Sequence, residues 1–113
     1  MESIKNELNL YREKVCKIEN IDLEIENLII NGANNNDERI KELRLGIRKL
    51  ELKNKQIYNI VKSLEEKEYT IINLIYLEGK DKKKVARELD RTERQVNYSI
   101  DKALKIMVNR GID

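Results

Sequence analysis

DKKKVARELDRTERQVNYSIDKALKIM, residues 81–107, reads as a short helix, a tight turn and a longer helix. Asp81 is placed to cap the first helix, whose inner face is Val85, Ala86 and Leu89. Ala86 matters because two helices that cross steeply leave room for only a small side chain at the contact. Asp90-Arg91 forms the turn. Asp is one of the few residues besides Gly that tolerate the left-handed backbone such a turn needs. Thr92 then caps the longer helix, in which Val96, Ile100, Ala103, Leu104 and Met107 recur at helical spacing. A small residue in the first helix, a short turn, an N-cap and an apolar residue four positions on together describe a helix-turn-helix.

Working outward, Leu64 to Tyr69 opens a supporting helix with a dense apolar face of Ile71, Ile72, Leu74, Ile75 and Leu77. Gly79 is its expected left-handed stop. Upstream, Ile4, Leu8, Tyr11, Val15, Ile18, Ile25 and Ile29 step by fours and threes, with Asp22 at the gap and Ile21 beside it to take over. This heptad pattern predicts a long amphipathic helix ending near Asn31-Gly32. Residues 31–37, NGANNND, are turn-forming, and Asp37 can cap the next helix. Ile40, Leu43, Ile47, Leu50, Ile57, Val61 and Leu64 continue the steps, with Asn54 at the one polar position. Folding the two runs back at 31–37 pairs Ile29 with Ile40, Ile25 with Leu43, Ile18 with Leu50, Tyr11 with Ile57, Leu8 with Val61 and Ile4 with Leu64. The expected fold is therefore all-α. A coiled-coil-like antiparallel helical hairpin over residues 1–64 precedes a three-helix helix-turn-helix module over 65–113.

A hairpin has one seam. Leu10, Leu23, Leu28, Ile30, Leu45 and Leu52 lie off it and need a further surface, either the C-terminal helices or a second copy of the chain. A homodimer is expected. Asp22 and Asn54 are either register-setting polar residues at such a seam or simply half exposed.

The composition suits helices. Of 113 residues, 39% are charged and 40% apolar, with no Pro, Phe or Trp and 4 Gly, so long helices run without interruption. Net charge is only +2. Its distribution is uneven: residues 1–31 hold four Lys or Arg against seven Asp or Glu, a net −3, whereas residues 80–110 hold ten against five, a net +5. A lone Cys16 excludes an intrachain disulfide and points to a reducing, cytoplasmic setting, with the thiol packed beside Val15. No continuous apolar block marks a signal peptide or a membrane span.

The absences argue against catalysis. The chain has no His and one Cys, and so lacks the commonest general base, the commonest metal ligand and any cysteine metal cluster. No Gly-rich phosphate loop occurs. No cofactor, metal or small-molecule substrate is expected.

In a helix-turn-helix the start of the second helix enters the major groove of DNA. Thr92, Glu93, Arg94, Asn97, Tyr98 and Asp101 are then its outward positions. Arg94 can read guanine in bidentate fashion and Asn97 can pair with adenine. Tyr98 can touch a thymine methyl or a phosphate. Lys82, Lys83, Lys84 and Arg87 can reach the neighbouring phosphates, and Arg91 and Lys102 complete the expected DNA-binding set. The alternative is an ordinary helical corner that binds protein.

The stretch LEEKEYTIINLIYLEGKDKKKVARELDRTERQVNYSIDKAL (64–104) resembles region 4 of bacterial sigma factors. The marks are the acidic "LEEKE" opening, the "IYLEGK" joint, the "VARELDRTERQV" core and the closing "DKAL". With its helical N-terminal extension, the chain looks like phage-encoded late transcription regulators of the ArpU/RinA type. The resemblance covers about the last 45 residues well, while the hairpin matches only in character. It implies that Thr92, Glu93, Arg94 and Asn97 contact a promoter, in a phage or prophage transcription regulator. Tyr98 stands where sigma factors tend to carry a polar base-reading side chain, and the turn holds Asp90-Arg91; both departures bear on the sequence read. Two other functions fit these residues: a protein-interaction module contacting RNA polymerase or a sigma factor, and a DNA-packaging protein resembling a phage terminase small subunit.

Overall fold

The computed structural model describes the backbone of residues 2–110 and the side chains of residues 4–110. The chain is all-α, with no strand among the described residues. Helix α1 runs from Glu2 to Ile30 and α2 from Glu38 to Lys62. Helix α3 spans Glu66–Ile72 and continues as a π-helical turn over Asn73–Leu77. Helices α4 (Lys82–Glu88) and α5 (Glu93–Asn109) complete the order.

Local chemistry sets the breaks. At the end of α1 the Ala33 amide donates to the Leu28 carbonyl and the Gly32 amide to that of Ile29, with Gly32 at φ 104. These two bonds satisfy carbonyls that the helix leaves unpaired, and the backbone they require is one that glycine adopts without strain. Asp37 then accepts from the Arg39 amide at 2.8 Å and starts α2. That helix ends at Lys62, short of the Leu64 expected from the apolar pattern. Ser63 caps it, and Leu64 leaves the helix to bury itself in the C-terminal core.

Helices α1 and α2 pack antiparallel. Arg39 meets Glu24 near the closed end at 2.9 Å, and Asn54 Nδ2 donates to the Tyr11 carbonyl at 3.3 Å further down. Toward the closed end Ile25, Ile40 and Ile47 form a small buried cluster, flanked by Ile18, Ile21, Leu28, Ala33 and Leu43. Three expectations change here. Leu28 faces this cluster rather than the outside, and Ile29, expected against Ile40, is 41% exposed. The seven-residue repeat drifts about 20° per heptad around a straight helix, so the inward stripe has rotated by the last turn of α1. Cys16 is exposed rather than packed, because the 100° step from half-buried Val15 carries it outward. Asp22 is exposed and Ile21 takes its place, whereas Asn54 is buried.

At the open end the packing changes scale. Ile4 and Leu8 of α1 and Ile57, Val61 and Leu64 meet Ile71, Ile72 and Leu77. The same core takes in Ala86, Val96, Ile100, Ala103, Leu104 and Met107. One core therefore runs from the base of the hairpin into the C-terminal helices. Arg110 reinforces the joint by donating to the Ser63 carbonyl at 3.0 Å.

Candidate functional site

The turn between α4 and α5 is built as its residues dictate. The Arg91 amide donates to the Ala86 carbonyl at 2.8 Å and the Asp90 amide to that of Arg87 at 3.2 Å. Asp90 takes φ 53, the one left-handed non-glycine residue described. This is the same closure that Gly32 makes at the end of α1. Val85 and Ala86 are buried, Ala86 in the core it shares with α5, and Leu89 is half-buried.

Thr92 opens α5 with a reciprocal cap. Its hydroxyl accepts from the Gln95 amide at 3.1 Å, and its own amide donates to Gln95 Oε1 at 2.9 Å. This pairing satisfies two amides that would otherwise be left open. It also commits the Thr92 hydroxyl to the helix start. Glu93 lies in the first turn, where a negative charge complements the helix dipole.

The inner face of α5 is fully used by Val96, Ile100, Ala103, Leu104 and Met107. The outer face is free. Glu93, Arg94, Asn97, Tyr98 and Asp101 are all exposed, Tyr98 by 71%. Lys82, Lys83, Lys84 and Arg87 are exposed on α4, with Asp81 holding the Lys83 amide at 3.3 Å. The expected DNA-facing residues thus divide between the exposed surfaces of these two helices and the turn between them.

Their grouping is finer than the sequence order shows. A concave groove between the start of α3 and α5 is lined by Lys67 and Glu68 on one side and Arg91, Arg94, Gln95, Tyr98, Ser99 and Lys102 on the other. Arg91 donates to Ser99 Oγ at 3.4 Å, and Lys102 Nζ lies 3.8 Å from the buried Glu68 carboxylate. Four cations therefore share this groove with one carboxylate, and among the described residues Arg94 has no ion pair. Asn97 and Asp101 do not line the groove. Asp101 lies toward Tyr76, where burial first and the Asp101 carboxylate second push the phenol above its ordinary value.

Lys67, Glu68, Gln95 and Ser99 were not among the expected site residues. Gln95 and Ser99 follow Arg91 at steps of four, as Tyr98 and Lys102 follow Arg94, so helical spacing carried a signal for them. Lys67 carries none, because only the packing of α3 on α5 brings it there. Charge totals are a weaker guide than residues 80–110 suggest. Helix α2 holds eight Lys or Arg against three Glu, the same net +5. What distinguishes the C-terminal surface is the concave setting of its cations beside an exposed helix face.

No described helix is long and apolar enough to cross a membrane. Comparison with family models, curated proteins and solved structures finds no match to this chain.

Proposed function

We propose that the chain is a sequence-specific, double-stranded DNA-binding transcription regulator that reads the major groove with the first turns of α5. The observation that carries this is the groove between α3 and α5. It holds Lys67, Arg91, Arg94 and Lys102 beside the exposed start of a helix whose opposite face is fully buried. A 17-residue helix is about 26 Å long. The major groove is roughly 12 Å wide and admits such a helix end-on or obliquely. Arg94 and Asn97 are the base readers, with Tyr98 beside them. Lys82, Lys83, Lys84, Arg87, Arg91 and Lys102 neutralise phosphates, which gives affinity without sequence information.

The resemblance to sigma factor region 4 over residues 64–104 supports the same assignment and adds a phage-type transcription role. We place two copies of the chain in the working unit. Leu10, Leu23, Ile30, Leu45 and Leu52 are 40–80% exposed and none is covered by the chain's own helices.

The test is the affinity for duplex DNA as a function of salt, followed by selection of bound sequences from random DNA. Binding that weakens steeply with salt is expected. Arg94→Ala lowers affinity for the selected sequence by roughly 1–3 kcal/mol and relaxes one position of it. Lys83→Ala weakens all sequences alike. Wild-type protein that does not bind duplex DNA at low salt leaves α5 as a protein-binding face, and its contact with RNA polymerase or a sigma factor is then the function to assay.

A further inference from the structure

A second basic furrow lies away from the α3–α5 groove, where the hairpin meets the C-terminal helices. It is lined by Lys5, Leu8, Asn9 and Arg12 of α1, by Ile75 and Tyr76 of the π-helical turn, and by Lys82 at the start of α4. None of these lining residues is a carboxylate. Lys5, Asn9, Arg12 and Lys82 are exposed, and among the described residues Lys5, Arg12 and Lys82 have no ion pair. The two nearest acids in sequence to Lys82 are engaged elsewhere: Asp81 caps α4, and Glu78 bonds Asn73 and lies 4.0 Å from Lys80. Three like charges thus line one furrow with no carboxylate among its described lining residues, an arrangement that favours a shared anion.

The placement is rigid rather than accidental. Ile4 and Leu8, on the same turns of α1 as Lys5 and Arg12, are buried in the core that also holds Val96 and Ile100 of α5. The stem of Arg12 lies across the joint after the π-helical turn, 3.5 Å from where a Cβ on Gly79 would stand. Gly79 sits at φ 71, so a side chain there would be strained. The Arg12 stem lies in ordinary contact with this joint, and Arg12 shares the furrow with Lys82 at the start of α4. Sequence counting had assigned residues 1–31 to the acidic half of the molecule. The fold instead turns two of its four cations toward the module that carries α5.

We propose that Lys5 and Arg12, with Lys82, form a phosphate-binding bank on the hairpin itself, so that α1 extends the DNA contact beyond the helix-turn-helix. This rests on the DNA-binding reading above. The DNA contact then has two banks. Lys67, Arg91 and Lys102 line the α3–α5 groove, and Lys5, Arg12 and Lys82 line the furrow beside Tyr76. The two banks serve the two phosphate strands that border one major groove. Tyr76 also lines the second bank.

The test uses the full chain and the double variant Lys5→Gln with Arg12→Gln, which keeps the apolar stems and removes both charges. Dissociation constants are measured on the selected duplex and on a scrambled duplex across a salt series. Each phosphate contact contributes about 0.9 to the slope of log affinity against log salt. The double variant is expected to lower that slope by roughly 1.8 and to weaken the two duplexes by the same factor. Lys5→Arg with Arg12→Lys restores the wild-type slope. A helical circular dichroism spectrum and an unchanged melting midpoint confirm that the variants fold. An unchanged slope in the double variant, with Lys83→Ala and Arg94→Ala still impaired, overturns the hairpin bank and leaves the DNA-binding reading standing. Wild-type protein with no affinity for either duplex overturns both.

Discussion

The two ends of the hairpin share one heptad pattern and reach different degrees of burial. At the open end Leu8 and Val61 are 1% and 0% exposed, because α3, the π-helical turn and α5 lie over them. At the closed end Ile40 is fully buried, but Ile25 and Ile47 keep 7% and 8% exposure. Ile29, Ile30, Leu23 and Leu45 around them stand out in solvent. Two helices in contact enclose only the residues directly between them. A third layer closes the sides of the seam, and it exists at one end only. The apolar pattern specifies which residues turn inward, while the number of layers above them decides how much each contributes.

The largest effect that would break this contrast is a core truncation at the open end. Leu8→Ala is expected to cost about 4–5 kcal/mol and Ile47→Ala about 2 kcal/mol, the high and low ends for removing a buried aliphatic side chain. Urea unfolding of the two variants measures both, and equal costs would mean that the layers are equivalent. Next comes the joint that aims α5. Thr92→Ala removes one half of the reciprocal cap with Gln95 and is expected to cost about 1 kcal/mol. A Gln95→Ala control removes the other half, and the double variant costs less than the two singles together if the pair acts as one unit.

A similar magnitude of opposite sign is expected at Gly46, inside α2. A Cβ built there meets nothing within 4 Å, so Gly46→Ala should stabilise the hairpin by about 1 kcal/mol through helix propensity alone. A loss of stability would show that another surface approaches α2 closely at this point. The smallest effect on the isolated chain belongs to the outer leucines. Leu23→Ser with Leu52→Ser should change unfolding by no more than about 0.5 kcal/mol per site at concentrations where the chain is monomeric. At micromolar concentration the same double variant should lower the mass measured by light scattering from that of a dimer to that of a monomer. A wild-type chain that is monomeric throughout removes the second copy from the proposed working unit.

How legible each part was depends on how local its cause is. The caps were readable, since Asp37, Asp81 and Thr92 act on amides two or three residues away. The left-handed stops were readable for the same reason: Gly32, Gly79 and Asp90 take positive φ where the turns were placed. The heptads were readable as an antiparallel pair because the periods of the two arms match. The π-helical turn at Asn73–Leu77 carried no such signal, since a dense apolar run has the same spacing in either helix. The swap of Leu28 for Ile29 was missed because a strict repeat ignores the rotation of a real helix. The candidate site was half legible. The exposed positions on α4 and α5 follow from their buried faces, but Lys67, Lys5 and Arg12 join them only through contacts between distant segments.

Read alone, the residues specify an all-α chain, the caps at Asp37, Asp81 and Thr92, the left-handed stops at Gly32, Gly79 and Asp90, and the free face of α5. These depend on periodicity and on hydrogen bonds closed within a few residues. Packing between distant segments gives the base of the hairpin and the C-terminal helices a shared core. It also decided that Lys67 stands across a groove from Arg94, and that two cations of the acidic arm lie beside Lys82. Such placements require one packed surface to set the angle of another. Residues 60 or more positions apart then share a charge environment that linear spacing cannot encode.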